Sequence, residues 1–182
     1  MERPSSDLVR YSFLRLGNYS LRNCLRGDVM AIDIRTKGAT AEREICDTLN
    51  FIIRLCLQEL GEAVPDKPIV QRNQNQTAVG GKDLSNTFDL AIEVKRQEQL
   101  SVNTWWKQCV AQAERNNEKP ILIYRQNRQS WRVVMNGNLG LPSLSGSGEA
   151  HMKVRCEISW EDFKVWFKHY AKRKIQLEGL RI

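Results

Sequence analysis

Gly80-Gly81-Lys82-Asp83-Leu84 and, a few polar residues later, Phe88-Asp89-Leu90-Ala91-Ile92-Glu93-Val94-Lys95 decide how this chain reads. The apolar run predicts a buried strand over Phe88–Lys95, preceded by a Gly-Gly-Lys-Asp turn. Alternate residues of a strand share a face, so Glu93 and Lys95 project together, about 7 Å apart at Cα, toward whatever Asp83 flanks.

Those residue types suit the hydrolysis of a phosphodiester at a divalent cation. Mg²⁺ prefers oxygen ligands and keeps several waters, so two carboxylates from adjacent strands are enough to hold it. A lysine beside them can orient a water and offset charge growing on a phosphate. A bare E-x-K on an exposed strand often serves solvation alone. Here it follows an apolar run, and burying Glu and Lys without partners costs several kcal/mol, so the placement calls for mutual pairing or a metal.

Length and composition bound the rest. The 182 residues, 41% hydrophobic and 27% charged, fit one globular domain with attached extensions. A formal charge of +7 favours an anionic partner, nucleic acid first and an acidic membrane surface second. Cys24, Cys46, Cys56, Cys109 and Cys156 are odd in number and lack C-x-x-C spacing, which reads as reduced core cysteines. His151 and His169 are too few and too far apart for a zinc site. No apolar run reaches the roughly 18 residues that cross a bilayer, and no signal-peptide pattern opens the chain, so a cytoplasmic protein is expected.

Four segments follow from the pattern: a basic extension over 1–36, a core over 37–136, a linker over 137–150, and a C-terminal strand and helix over 151–182. The extension scatters Arg3, Arg10, Arg15, Arg22, Arg26 and Arg35 among polar residues. It reads equally as a flexible arm adding nonspecific DNA affinity or as sequence upstream of a start at Met30. In the core, Ala41, Ile45, Leu49, Ile52, Cys56 and Leu60 recur at helical intervals, predicting a helix from Gly38 to Gly61 with Glu42 and Arg43 in its first turn. On position alone Glu42 is a cap or a complement to the helix dipole. Pro65 and Pro68 break the chain, Ile69–Arg72 opens a short strand, and Asn73–Gly81 is a polar loop. A second helix over Ser101–Asn116 has Trp105, Trp106, Cys109 and Ala113 on its apolar face, with Gln108 and Gln112 one turn apart. Strands over Pro120–Arg125 and Trp131–Met135 complete a β-β-α-β-β order behind a leading helix, a mixed α/β sheet flanked by helices. After the linker, Met152–Ile158 alternates as a strand and Ser159 caps a helix with Asp162 at N3. Its stripe of Trp160, Phe163, Trp166, Phe167 and Tyr170 should pack on the sheet or on a second subunit, leaving Lys164, Lys168 and Lys172 to meet phosphate.

Lys37-Gly38-Ala39-Thr40-Ala41-Glu42-Arg43-Glu44 resembles the K-G-x-x-x-E-R-E opening of the archaeal-type Holliday junction resolvases. Asp83-Leu84 and Ile92-Glu93-Val94-Lys95 resemble their D-L and I-E-V-K strands, which places the chain with the PD-(D/E)XK nuclease superfamily. Trp105-Trp106-Lys107-Gln108 with Tyr124-Arg125-Gln126-Asn127-Arg128 also resembles phage and prophage members of that group. The likeness covers residues 37–135. It implies a restriction-endonuclease-like fold and Mg²⁺-dependent cleavage of four-way DNA junctions, with Mn²⁺ able to substitute, by a symmetric homodimer active in DNA recombination and repair. If phage-encoded, it would work in the bacterial host's cytoplasm. By motif match, Asp83 and Glu93 would be metal ligands, Glu42 an additional carboxylate at the metal or its water, and Lys95 the water-orienting residue. Arg43 and Arg72 would fall on DNA-contacting positions, Lys37 would assist, and Gln108 would sit where many such nucleases place a helix Gln. Asp89 competes with Asp83, but four residues along a strand from Glu93 is about 13 Å, too far for one metal. Two rival readings stay open: a nuclease for flaps, forks or nicked duplex, and a basic DNA-binding accessory protein with an inactive core.

Overall fold

An amphipathic helix, α1, runs over Ile34–Leu60 and buries Ala41, Ile45, Leu49, Ile53, Cys56 and Leu57 on one face. It ends where Gly61 takes φ 72°, with the Gly61 N–H on the Gln58 carbonyl and the Glu62 N–H on the Leu57 carbonyl, a Schellman closure. The computed structural model describes residues 34–73, 82–141 and 150–179, all within one unit. Most of the basic extension, Met30 and Cys24 included, and most of the 73–81 loop lie outside the described residues.

Because α1 begins at Ile34, before Gly38, Glu42 lies in its third turn and not at its entrance. The capping and dipole roles therefore do not apply to it. Gly38 suggested a helix start because glycine is a poor helix former, but its neighbours carry the helix through.

The remaining elements are β1 (Gln71–Arg72), β2 (Leu84–Ser85), β3 (Leu90–Gln97), α2 (Val102–Arg115), β4 (Lys119–Gln126), β5 (Arg132–Leu141), β6 (Ala150–Ser159) and α3 (Trp160–Glu178). β1 and β2 form an antiparallel pair. β3-β4-β5-β6 form a mixed sheet in that order, with β3 and β4 parallel and the others antiparallel. The expected mixed sheet flanked by helices is what forms. α2 is the crossover that a parallel β3–β4 pair requires.

The sheet buries both faces. Leu90, Ile92, Val94, Ile121, Ile123, Val133 and Met135 pack with α1 and with Phe163, Phe167, Ala171 and Ile175 of α3. Each fully buried phenylalanine contributes about 1.5–3 kcal/mol. On the opposite face Leu122, Tyr124 and Val134 meet Trp105, Trp106 and Cys109 of α2. Strand alternation puts Ala91, Glu93 and Lys95 on this second face.

Beyond the start of α1, three further features differ from expectation. β3 begins at Leu90, not Phe88, because Asn86 and Phe88 both adopt φ 58° in a turn, closed by Thr87 Oγ1 donating to the Leu90 carbonyl at 2.7 Å. Phe88 tolerates that strained conformation while packing edge-on against Tyr170. Gly137–Leu141 continue β5 where the linker over 137–150 was expected, paired residue for residue with β6. Asn and Gly are weak strand formers alone, but the partner strand sets their pairing. β6 and α3 thereby complete the sheet and its core, and the aromatic stripe packs inside the chain. The third difference is β2, too short to show in the sequence pattern.

The α3 lysines are committed rather than free for phosphate: Lys168 and Lys172 both pair with Glu59, and Lys164 with Glu161. Cys46, Cys56 and Cys109 are buried free thiols, and Cys156 is a half-buried one. No described helix is long and apolar enough to cross a membrane.

Candidate active site

The β3 edge away from β4 is where the chemistry-bearing residues gather. Asp83 is tied to it through the main chain, its N–H donating to the Ile92 carbonyl at 3.1 Å while its own carbonyl accepts the Asn73 N–H at 2.8 Å. Its carboxylate Oδ2 then accepts the Val94 N–H at 2.7 Å. Val94 stands between Glu93 and Lys95, so one hydrogen bond fixes the Asp83 side chain to the peptide that carries the other two. Lys82, just before it, is anchored by Glu118 at 2.5 Å.

Glu93 and Lys95 pair on their shared face, Nζ to Oε1 at 2.5 Å, with side chains 12% and 26% exposed. Their burial is met by mutual pairing, one of the two alternatives that burial demanded. Glu42, from α1, accepts from Arg72 of β1, Nε to Oε2 at 2.6 Å.

These groups act on one another electrically. Asp83 is 5% exposed. Burial, then the charge of Glu93 with a smaller push from Glu42, moves its carboxyl up to about 7 against the pull of the Val94 N–H and Lys95. Burial works against the charged form of Lys95, but Glu93, Asp83 and Glu42 outweigh it and hold the ammonium above its ordinary value. The field reaches α2: burial pushes the Cys109 thiol up to about 12, with Glu93 and Asp83 adding to it.

Of the residues singled out in the sequence, Glu42, Asp83, Glu93 and Lys95 thus share one electrostatic neighbourhood. Arg72 joins them through Glu42. Arg43 is exposed and shares with Arg72 a cavity of about 290 Å³ between α1 and residues 68–72. Lys37 is directed to Glu98 at 3.4 Å. Gln108 is exposed, whereas Gln112, one turn further along α2, is half-buried with an amide nitrogen that has no hydrogen-bond partner. The rival Asp89 stands before the start of β3, held by Lys119, Lys174 and the Tyr170 hydroxyl. Sequence reasoning missed the Glu42–Arg72 pair, for which residues thirty positions apart give no signal, and Cys109, which carried only the helical spacing of a core residue.

Among the described residues no three His, Cys, Asp or Glu side chains are gathered as a metal-binding cluster. Glu42 is held by Arg72, and Glu93 by Lys95. The donor set nevertheless fits a hard divalent cation. Two hard carboxylate donors, Asp83 and Glu93, are all that Mg²⁺ asks of a protein, and Asp83 carries repulsion that a cation would relieve.

The family model described as "Phage putative PDDEXK endonuclease" matches residues 33–155, more than half of the chain. The chain belongs to this family and so to the PD-(D/E)XK nucleases, whose restriction-endonuclease-like sheet it shares. Protein D14 of Escherichia phage T5 is 29% identical over 72 residues, 38% of this chain and 44% of that protein. The match therefore spans less than half of that relative. Archaeoglobus fulgidus Hjc, described as a Holliday junction resolvase from an archaeal hyperthermophile, aligns over 71% of this chain and 96% of its own, with TM-score 0.39 and 17% identity.

Proposed function

We propose that this PD-(D/E)XK family member is a divalent-metal-dependent endodeoxyribonuclease that cuts branched DNA, four-way junctions above all, as a symmetric homodimer in the cytoplasm. The observation that carries the reading is the buried Asp83 carboxylate bonded to the amide between Glu93 and Lys95. Asp83 and Glu93, with Glu42 as a further carboxylate, would hold Mg²⁺ or Mn²⁺. When bound, the cation supplies Lewis-acid polarisation of the scissile phosphate and a nucleophilic water at neutral pH.

The chain's own residues do the rest. Lys95 holds its proton and orients the attacking oxygen, its ammonium offsetting the negative charge that grows on the phosphate oxygens. The Val94 amide and the Lys82–Glu118 pair keep Asp83 in place. Arg43 and Arg72 position the sugar-phosphate backbone, which fixes register without reading bases. The surplus of seven positive charges attracts any DNA, so affinity falls steeply with salt. Two-fold related sites on a junction that is itself nearly two-fold would produce paired nicks.

A mobile four-way junction incubated with Mg²⁺ and wild-type, Glu93→Ala or Lys95→Ala protein tests this. Lys95→Ala should bind the junction nearly as well as wild type and cut it about 10²–10³-fold more slowly. Equal loss of binding and cutting would count against the roles assigned. Flaps, forks and nicked duplex at matched salt decide the substrate, and no cleavage of any of them with either metal would favour a binding-only protein.

A further inference from the structure

We infer that Arg72 couples DNA binding to metal binding: the guanidinium that holds Glu42 in the free protein is drawn off by a phosphodiester, and its departure releases Glu42 to the cation site. The inference rests on the nuclease reading above and adds to it a mechanism by which substrate prepares the site.

The free protein balances its own acids. Glu42, Asp83 and Glu93 are three acidic groups, while Arg72 and Lys95 bring two positive charges into direct ion pairs with Glu42 and Glu93. In that state no three acidic side chains among the described residues are gathered as ligands. Arg72 also faces a second environment. It lines the cavity between α1 and residues 68–72 together with Arg43, Asp47, Asn50 and Gln71. Arg43 and Arg72 bring two guanidinium groups to that cavity, against the Asp47 carboxylate in its wall and the Glu42 carboxylate already paired with Arg72. A guanidinium has five N–H donors and bonds phosphate in a bidentate way, so a phosphate in the cavity competes for the group that Glu42 holds.

The moving part is a side chain, not a strand. Asn50, 7% exposed, accepts the Ile69 and Val70 N–H groups and donates to the Val70 carbonyl, all at 2.8 Å. Those three bonds hold the approach to β1 on α1, so the base of Arg72 is fixed and its torsions choose between Glu42 and the cavity. A two-position element that both ligands bias is what linkage requires, and the coupling is reciprocal.

Mn²⁺ binding, read by EPR of the free ion, tests this without turnover. Arg72→Gln without DNA should bind Mn²⁺ about fivefold or more tightly than wild type. From the other side, Glu42→Gln without metal should bind a junction more tightly than wild type, and that gain should vanish in the Glu42→Gln/Arg72→Gln double variant. Unchanged or weaker Mn²⁺ affinity in Arg72→Gln, or a Glu42→Gln gain that survives without Arg72, overturns the coupling. Asp83→Asn separates the two readings. If it abolishes Mn²⁺ binding while Arg72→Gln leaves the affinity unchanged, only the coupling fails. If neither wild type nor Arg72→Gln binds Mn²⁺, or Asp83→Asn binds it as wild type does, the nuclease reading falls and takes the coupling with it.

Discussion

Asp83 stands beside the middle of β3 and Asp89 just before its first residue, yet the two carboxyls are driven in opposite directions. Asp89 loses some stability to burial but faces Lys119, the Tyr170 hydroxyl and Lys174, and its carboxyl is drawn down to about 2. Asp83 is buried more deeply and its carboxylate neighbours repel it, so its carboxyl rises to about 7. The first arrangement ties α3 to the sheet. The second gathers carboxylates that repel one another, and such groups cluster at functional sites.

The contrast can be broken most directly by substitution. Asp83→Asn should lower cleavage at least about a hundredfold, while Asp89→Asn stays within about threefold of wild type in the same nicking assay. Similar losses in both would erase the distinction. Stability against pH sharpens it. The raised folded value of Asp83 means that stability of the metal-free protein is favoured at low pH and declines as pH climbs from about 4 through about 7. Asp83→Asn should flatten that decline in thermal melts. For Asp89 the sign reverses: its contribution is complete above about 4 and disappears as pH falls through about 2.

A smaller effect concerns Tm at neutral pH. Asp89→Asn should cost about 1 kcal/mol once solvent screening is allowed for, equivalent to about 2–4 °C in a melt. Smallest of all, Lys37→Ala breaks only the Lys37–Glu98 pair and should change stability by less than about 0.5 kcal/mol. If Lys37 does meet phosphate, the salt dependence of DNA affinity should lose about one unit of slope. An unchanged slope would leave Lys37 with Glu98 alone.

The elements of the sheet were legible where local pattern and tertiary role agree. Ile92-Glu93-Val94-Lys95 alternates, and its apolar members are buried against α1 and α3. Ser159 and Asp162 announced the start of α3, and the Ser159 hydroxyl does accept the Asp162 N–H. Legibility ended where a residue's state is set by a distant partner. Gly137–Leu141 read as a linker because nothing local reveals that β6 will pair with them. Lys168 and Lys172 read as free because Glu59 lies on another helix. Glu42 was singled out only through motif likeness, since spacing alone offered it a cap, whereas Asp83 stood out from its turn beside the strand. That Arg72 holds Glu42 required coordinates.

The Val94 amide spends its hydrogen on a side chain instead of a neighbouring strand. Its exchange with deuterated solvent is therefore tied to the whereabouts of a single carboxylate. Any ligand that draws Asp83 off β3 unlocks that proton, and any that seats it more firmly slows the exchange. The fold thus contains its own indicator, readable from one peptide fragment without dye or turnover.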